Sequence, residues 1–296
     1  MPFDLQEYLQ QRVRMVDSAL HRYLPDEDTR PQVLHRAMRY STMSGGKRLR
    51  PVLVMAGTEA VGGTADVVLP TACAIELIHT FSLIHDDLPA IDNDTLRRGR
   101  PTCHVQFGEA VAILAGDALF ATAFELVARN VETAPAERVV RVLQVIAEAS
   151  GTRGMVGGQM VDIESERKPV DAETLEYIHR HKTAALIRAS VVSGAILAGA
   201  EQWQVDALSR YGELAGLAFQ IADDLLNVTG DPGKTGKAVG TDAERGKATY
   251  PALYGVEASR QRAYQLVKEA TEALRPFGEK AEPLRALAYL MVEREG

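Results

Sequence analysis

The sequence predicts an all-α protein, and three observations carry that expectation. Ala and Leu are abundant while aromatic residues make up only 6% of the 296 positions, a balance that favours helix over sheet. Apolar residues recur at helical spacing through most of the chain, and no β-branched core of a parallel sheet is present. With 46% apolar and 25% charged residues the chain is of globular type and long enough to bury a full core. No boundary-like linker divides it, so residues 1–296 read as one helical domain.

The elements follow in order. Leu5, Leu9, Val13, Val16 and Leu20 mark an amphipathic surface helix over residues 4–24, closed by Pro25 and the acidic turn that follows it. Pro31 opens a short second helix through Tyr40. Ser44-Gly-Gly-Lys-Arg-Leu-Arg-Pro51 interrupts the pattern. Its glycines let backbone N–H groups approach an anion, and Lys47, Arg48 and Arg50 add charge-assisted donors; a solvated turn is the plain alternative. A helix over residues 52–60 and a loop over 61–66 lead into a long apolar run from Val67 to the first aspartates. Small residues dominate a helix from Val105 through Val127, in which Asp117 is expected to be a buried polar tie. A helix over residues 137–162 carries Gly151, Gly154, Gly157 and Gly158, a costly load unless close approach requires it; Gln159 and Asp162 share one of its faces. Residues 172–198 and 204–227 form two more helices, and residues 251–274 and 283–294 the last two.

The chemistry is concentrated in two acidic clusters. Asp86, Asp87, Asp92 and Asp94 place four carboxylates within nine residues, directly before Arg97, Arg98 and Arg100. Such charges repel unless a cation or solvent neutralises them. A second cluster, Asp223-Asp224-Leu-Leu-Asn227, closes the helix over residues 204–227. Carboxylates without thiolates are hard oxygen ligands suited to Mg²⁺, which shares its shell with waters and substrate phosphates. Each cluster alone is also readable as a solvent-facing helix end; as a pair they suggest a diphosphate held between them. Asp86 and Asp92 lie about 240° apart on an ideal helix, so Pro89 is expected to introduce a loosening or bulge that lets them converge. His79 is a candidate phosphate donor, and His85 is as readily a core residue as a site residue. Gly233-Lys-Thr235 lacks the full P-loop pattern and any preceding strand, so it reads as an anion-binding or lid-like loop carrying Lys234, Lys237, Arg245 and Lys247 nearby.

The net charge of −7 gives no general basis for nucleic-acid or anionic-membrane binding, so phosphate chemistry must use local positive charge. Cys73 and Cys103 are too few for a disulfide framework and fit a reducing cytoplasm. The N-terminal segment is expected to be neither signal peptide nor anchor, and no segment is expected to span a membrane.

With these motifs in this order, the sequence resembles the trans-isoprenyl diphosphate synthases, most closely the bacterial farnesyl and geranylgeranyl diphosphate synthases. The resemblance implies a helical bundle around a deep central cavity, a homodimer, and three Mg²⁺ ions per site. It implies metal binding by Asp86, Asp87, Asp92, Asp223 and Asp224. Asn227, where the family has aspartate, is better suited to a metal-bound water. Gly46, Lys47, Arg50, His79 and Arg98 match residues that grip isopentenyl diphosphate; Arg97, Lys182, Thr183, Gln220, Lys237 and Lys247 match those around the allylic diphosphate. The implied catalytic set is Asp86, Asp87, Asp92, Arg97, Lys182, Asp223 and Lys237, with Arg294 as a less secure C-terminal lid residue. The implied reaction is ionisation of an allylic diphosphate and attack by the isopentenyl double bond. Phe81, five residues before Asp86, with Ser82 beside it, resembles the chain-length position of farnesyl synthases. Farnesyl diphosphate is therefore the first expectation, geranylgeranyl diphosphate the second and geranyl diphosphate the third. A terpene cyclase or head-to-head condensing enzyme would lack the separate Gly46, Lys47, Arg50 and His79 set, and a non-catalytic partner subunit would carry a broken first motif.

Overall fold

A computed structural model describes residues 3–230 and 246–293, and these form helices with one small hairpin. In chain order they are α1 (Leu5–Tyr23), α2 (Gln32–Thr42), α3 (Leu49–Ala60), α4 (Leu69–Asp86), the strands β1 (Leu96–Arg97) and β2 (Arg100–Pro101), α5 (Cys103–Phe107), α6 (Glu109–Ala128), α7 (Ala136–Ser150), α8 (Met155–Ser165), α9 (Ala172–Ile178), α10 (Ala185–Ala198), α11 (Gln202–Thr229), α12 (Tyr250–Tyr254), α13 (Val256–Ala273) and α14 (Glu282–Glu293). The all-α expectation holds.

Local chemistry sets the ends. Asp4 caps α1 by accepting from the backbone N–H of Gln6 and Glu7 at 2.9 and 3.0 Å, and Glu201 with Gln204 forms a capping box on α11. The helix expected over residues 137–162 is two helices. Gly151 is extended as the C-cap of α7, and Gly154 is the non-helical N-cap of α8. The glycines break the helix there because a side chain at Gly154 would collide with the carbonyl of Ala149.

Two apolar clusters fill the interior. The first gathers α1, α2, α6 and α7 around α4, and the second gathers α3, α11, α13 and α14 around α10. Both central helices are apolar on nearly every side, as helices enclosed by others must be; Cys73, Ile75, Leu77 and Ile78 of α4 and Ile187, Val191 and Ala195 of α10 are fully buried. The segments Ala65–Asp86 and Glu109–Glu132 are long and apolar enough to cross a membrane by length and composition, which corrects the expectation that no segment reaches that length. Within the bundle the first is 61% buried and the second 39%. Asp117 is exposed on α6, not a buried tie.

The helices α3 and α10 cross at backbone contact. A Cβ on Gly194 would strike the carbonyl oxygen of Val54, and one on Gly57 that of Val191. Gly194→Ala is therefore expected to destabilise the fold by about 1–3 kcal/mol, the usual cost of overpacking a filled core. Denaturant titration reads this directly, and an unchanged midpoint would mean that the crossing can open freely.

Candidate active site

The first acidic cluster is placed by a helix stop. Asp86 is the last residue of α4, and Pro89 follows where a further turn would need its N–H. The chain doubles back so that the Asp92 N–H donates to the Asp86 carbonyl at 2.8 Å and the Asn93 N–H to that of Leu88 at 3.0 Å, with Asn93 left-handed at φ 52°. The two aspartates converge, as expected from Pro89, but through a terminated helix and a reversing turn in place of a bulge inside one.

The hairpin that follows was not expected from the sequence. Arg98 and Gly99 have φ of 52° and 72°, the left-handed pair of a two-residue turn. Arg97 ends strand β1 while Arg98 begins the turn, and the left-handed backbone at Arg98 sends the two side chains apart. Arg97 turns inward and grips buried Asp87 with two nitrogens, Nε donating at 2.9 Å and Nη2 at 2.6 Å. Arg98 reaches across to donate to the carbonyl of Gly45 and lies flat against Gly46, where a Cβ would overlap the guanidinium. Gly46 thus matters here through the close approach of Arg98.

The basic residues near Gly46 divide by role. Arg48, buried and left-handed, donates to Asp17 at 2.9 Å, to Glu76 at 2.8 Å and to the Thr42 carbonyl at 2.9 Å; it ties α1, α2 and α4 to the start of α3. His79, Arg97 and Arg98 line one cleft with Asp87, Tyr40 and Thr80. Lys47 instead lines a separate apolar cavity of about 600 Å³ between α1, Phe219 and α14. Lys47 is thus found on a different cavity from the cleft that His79 and Arg98 share.

The centre of the site is a chain of ion pairs drawn from four elements. Lys247 donates to Asp92 at 2.9 Å and lies 3.8 Å from Asp162 of α8; Asp162 in turn accepts from Lys182 at 2.7 Å. Lys182 occupies a π-helical turn, His179–Ala184, between α9 and α10, a distortion often found at functional sites. Gly158 lets α8 lie against this turn, since a Cβ there would strike the Lys182 backbone. Burial alone would depress the Lys182 ammonium, but Asp162 and then Asp86 outweigh it and raise it. Burial pushes the Asp86 carboxyl up from its usual range, Lys182 pulls it down, and Asp92 adds to the rise. Asp86 is thus a carboxylate short of positive charge.

From the same turn Thr183 donates to Gln220 at 2.6 Å, and Gln220 donates to Asp224 at 3.0 Å. Asp224 also accepts from the Tyr250 N–H at 2.8 Å and has His179 at 3.3 Å. Only 4% exposed, it acts as a strut joining α11, α12 and the π turn, whereas Asp223 beside it is exposed. Asn227 follows Asp223 by one turn of α11. Phe81 packs on Phe120 of α6, while Ser82 donates to the His79 carbonyl at 2.9 Å. His85 is structural: its Nε2 is 3.1 Å from the Ile113 carbonyl, and it packs edge-on to Phe81. Lys234, Lys237, Arg245 and Arg294 lie outside the described residues, as does the loop over residues 231–245.

Among the described residues no three acidic, histidine or cysteine side chains converge closely enough to enclose a cation. The reason is local: Asp87 is held by Arg97, Asp92 by Lys247, and Asp224 by Gln220, Tyr250 and His179. The donor set nonetheless suits Mg²⁺, being carboxylate oxygen throughout, with the Gln159 Oε1, one turn before Asp162, buried and lacking any hydrogen-bond partner among the described residues. The sequence placed Asp162 only on a shared helix face with Gln159; that spacing was the available signal, and the lysines it bridges lie 20 and 85 residues away.

Removing one partner of a buried ion pair strands the other. Arg97→Met is expected to cost about 3 kcal/mol, the low end for such pairs because Arg97 keeps 17% exposure. A denaturation midpoint equal to that of the unsubstituted protein would show that Asp87 does not depend on this arginine.

Comparison with known proteins agrees with this geometry. Residues 31–286 match the family model described as polyprenyl synthetase. A curated relative, the geranylgeranyl diphosphate synthase of Cyanophora paradoxa, is 48% identical over 99% of this chain and 97% of its own. Among solved structures, the geranylgeranyl pyrophosphate synthetase of Pyrococcus horikoshii superposes with a TM-score of 0.88 at 36% identity, covering 98% of each chain. An FPP/GFPP synthase of Zymomonas mobilis gives 0.86 at 38% identity, covering 97% of this chain and 98% of its own. A family match over most of the chain and a fold shared along nearly its whole length mark the chain as a prenyltransferase of the polyprenyl synthetase family.

Proposed function

We propose that this protein is a geranylgeranyl diphosphate synthase, extending allylic diphosphates with isopentenyl diphosphate in a head-to-tail condensation. The observation that carries the reaction class is the ion-pair chain Asp92, Lys247, Asp162, Lys182, lying next to a second, separately lined cleft of His79, Arg97 and Arg98. One centre then holds an allylic diphosphate and the other the isopentenyl diphosphate that attacks it.

Asp86, Asp87, Asp92 and Asp223 would hold Mg²⁺, with Asn227 suited to a metal-bound water. Asp224 keeps its strut role in this reading. Bound Mg²⁺ supplies Lewis-acid neutralisation of the diphosphate oxygens. The protein's own groups do the rest. Lys182 and Lys247 stand where charge builds on the leaving diphosphate, and their positive charge stabilises it there. Asp162 fixes both ammonium groups in position. Apolar walls from α4 and α6 exclude water from the allylic cation. Lys237 is a further cation for the allylic diphosphate on the family resemblance alone.

The geranylgeranyl product rests on the names borne by the Cyanophora paradoxa and Pyrococcus horikoshii relatives. A farnesyl product is the second reading, favoured by the aromatic Phe81 packed on Phe120. Incubating the protein with dimethylallyl, geranyl or farnesyl diphosphate, labelled isopentenyl diphosphate and Mg²⁺, then chromatographing the dephosphorylated products, decides between them. Geranylgeraniol as the main product supports the first reading and farnesol the second; no prenyl alcohol from any primer would defeat both.

We also propose a homodimer through the outer face of α6, where Ile113 and Leu114 are 43% and 58% exposed on a helix that is otherwise nearly all apolar. Leu114→Asp should convert the dimer to monomer in sedimentation; an unchanged mass would place the interface elsewhere.

A further inference from the structure

Glu76 is a carboxylate in a cleft suited to anions. It lines the cleft of His79, Arg97 and Arg98, stands three residues before His79 on the same face of α4, and its side chain is only 4% exposed. A bare carboxylate there would act twice against a diphosphate. It would repel the incoming anion, and it would compete for the arginines that receive it. Burial lowers the Arg98 guanidinium from its ordinary value; among the neighbouring charges Glu76 raises it, and Arg48 and Arg97 lower it further. Glu76 and Arg98 therefore feel each other across the cleft.

Arg48 answers that carboxylate. Its Nη1 donates to Glu76 at 2.8 Å, while Nε donates to Asp17 of α1 at 2.9 Å and Nη2 to the Thr42 carbonyl at the end of α2 at 2.9 Å. The backbone at Arg48 is left-handed, with φ 48°, a costly conformation for a residue bearing a Cβ. Three bonds to three helices hold it there. The Arg48 side chain is 2% exposed and is not among the residues that line the cleft, so it meets Glu76 and not the substrate. Three residues earlier on the same segment, the Gly45 carbonyl accepts from Arg98.

We propose that Arg48 is a positioning residue for the diphosphate bound in this cleft: it occupies Glu76, so that Arg98 stays against Gly45 and Gly46 with its charge available to the substrate. This rests on the reading of the cleft as the isopentenyl diphosphate site. Without Arg48, Glu76 draws Arg98 towards itself, and the cleft loses a cation as it gains an anion. The allylic centre around Lys182 and Lys247 is left as it was.

The test is steady-state kinetics with labelled isopentenyl diphosphate and geranyl diphosphate on Arg48→Met, Arg48→Gln, Arg48→Lys, Glu76→Gln and the Arg48→Met/Glu76→Gln double variant, each with its thermal melting curve. Arg48→Met should raise KM for isopentenyl diphosphate by at least about tenfold and leave KM for geranyl diphosphate within about threefold of the parent's. Arg48→Gln, which still hydrogen-bonds Glu76 but leaves its charge bare, should shift KM the same way and serves if the methionine variant fails to fold. Arg48→Lys keeps the charge beside Glu76 and should stay close to the parent. On the Glu76→Gln background Arg48→Met should no longer change KM for isopentenyl diphosphate, because the competing carboxylate is gone. A tenfold rise on that background would overturn the proposal, as would a folded Arg48→Gln with the parent's KM or an equal rise for both substrates. A parent protein that forms no prenyl product would instead defeat the elongation reading, so the two failures are distinguishable.

Discussion

The need to compensate buried negative charge governs this molecule. Asp86, Asp87, Asp92, Asp162 and Asp224 come from distant parts of the chain, and isolated buried carboxylates cost several kcal/mol each. The protein meets that cost with its own cations and donors: Arg97 on Asp87, Lys247 on Asp92 and Asp162, Lys182 on Asp162, and Gln220 with the Tyr250 N–H on Asp224. At Asp86 burial pushes the carboxyl upward, with Asp92 adding to it, more than Lys182, Arg97 and Lys247 pull it down. A site in this condition attracts further positive charge, while the lysines that hold it closed carry the charge needed to receive a diphosphate.

Each charged group is delivered by a small departure from regular helix. A helix stop before Pro89 returns Asp92 to Asp86; a left-handed turn at Arg98 and Gly99 sends two adjacent arginines to opposite tasks; a π turn aims Lys182 at α8 and Thr183 at α11. The glycines at 46 and 158 clear room for two of these arrangements. Regular packing around α4 and α10 supplies the rigid frame, and the irregular points carry the chemistry.

The helices were legible because apolar spacing reports burial directly, and both acidic clusters were legible because carboxylates crowded together after an apolar run call for a cation or other positive charge. What stayed hidden depends on partners distant in sequence. Arg48 looks like its neighbours Lys47 and Arg50 until Asp17 and Glu76 are found around it. Asp224 and Asp223 are chemically identical in sequence, and only the positions of His179 and Tyr250 make one a strut. The glycine-rich run over residues 151–158 was visible, but not that Gly154 closes against the Ala149 carbonyl at the break while Gly158 admits the π turn. Asp117 was read as buried from an apolar surrounding, whereas that surrounding is the outer face of α6.

The central claim is that protein cations hold the acidic site closed until a diphosphate takes them over. Calorimetric titration of Mg²⁺ into the protein, with and without inorganic diphosphate, tests it most directly. If Lys247 and Lys182 must leave Asp92 and Asp162 for the diphosphate before carboxylates can turn to metal, Mg²⁺ affinity should rise by at least tenfold when diphosphate is present, a coupling of about 1.4 kcal/mol. Equal Mg²⁺ affinity in both titrations would contradict the account, since the site would then bind metal without exchanging its internal ion pairs.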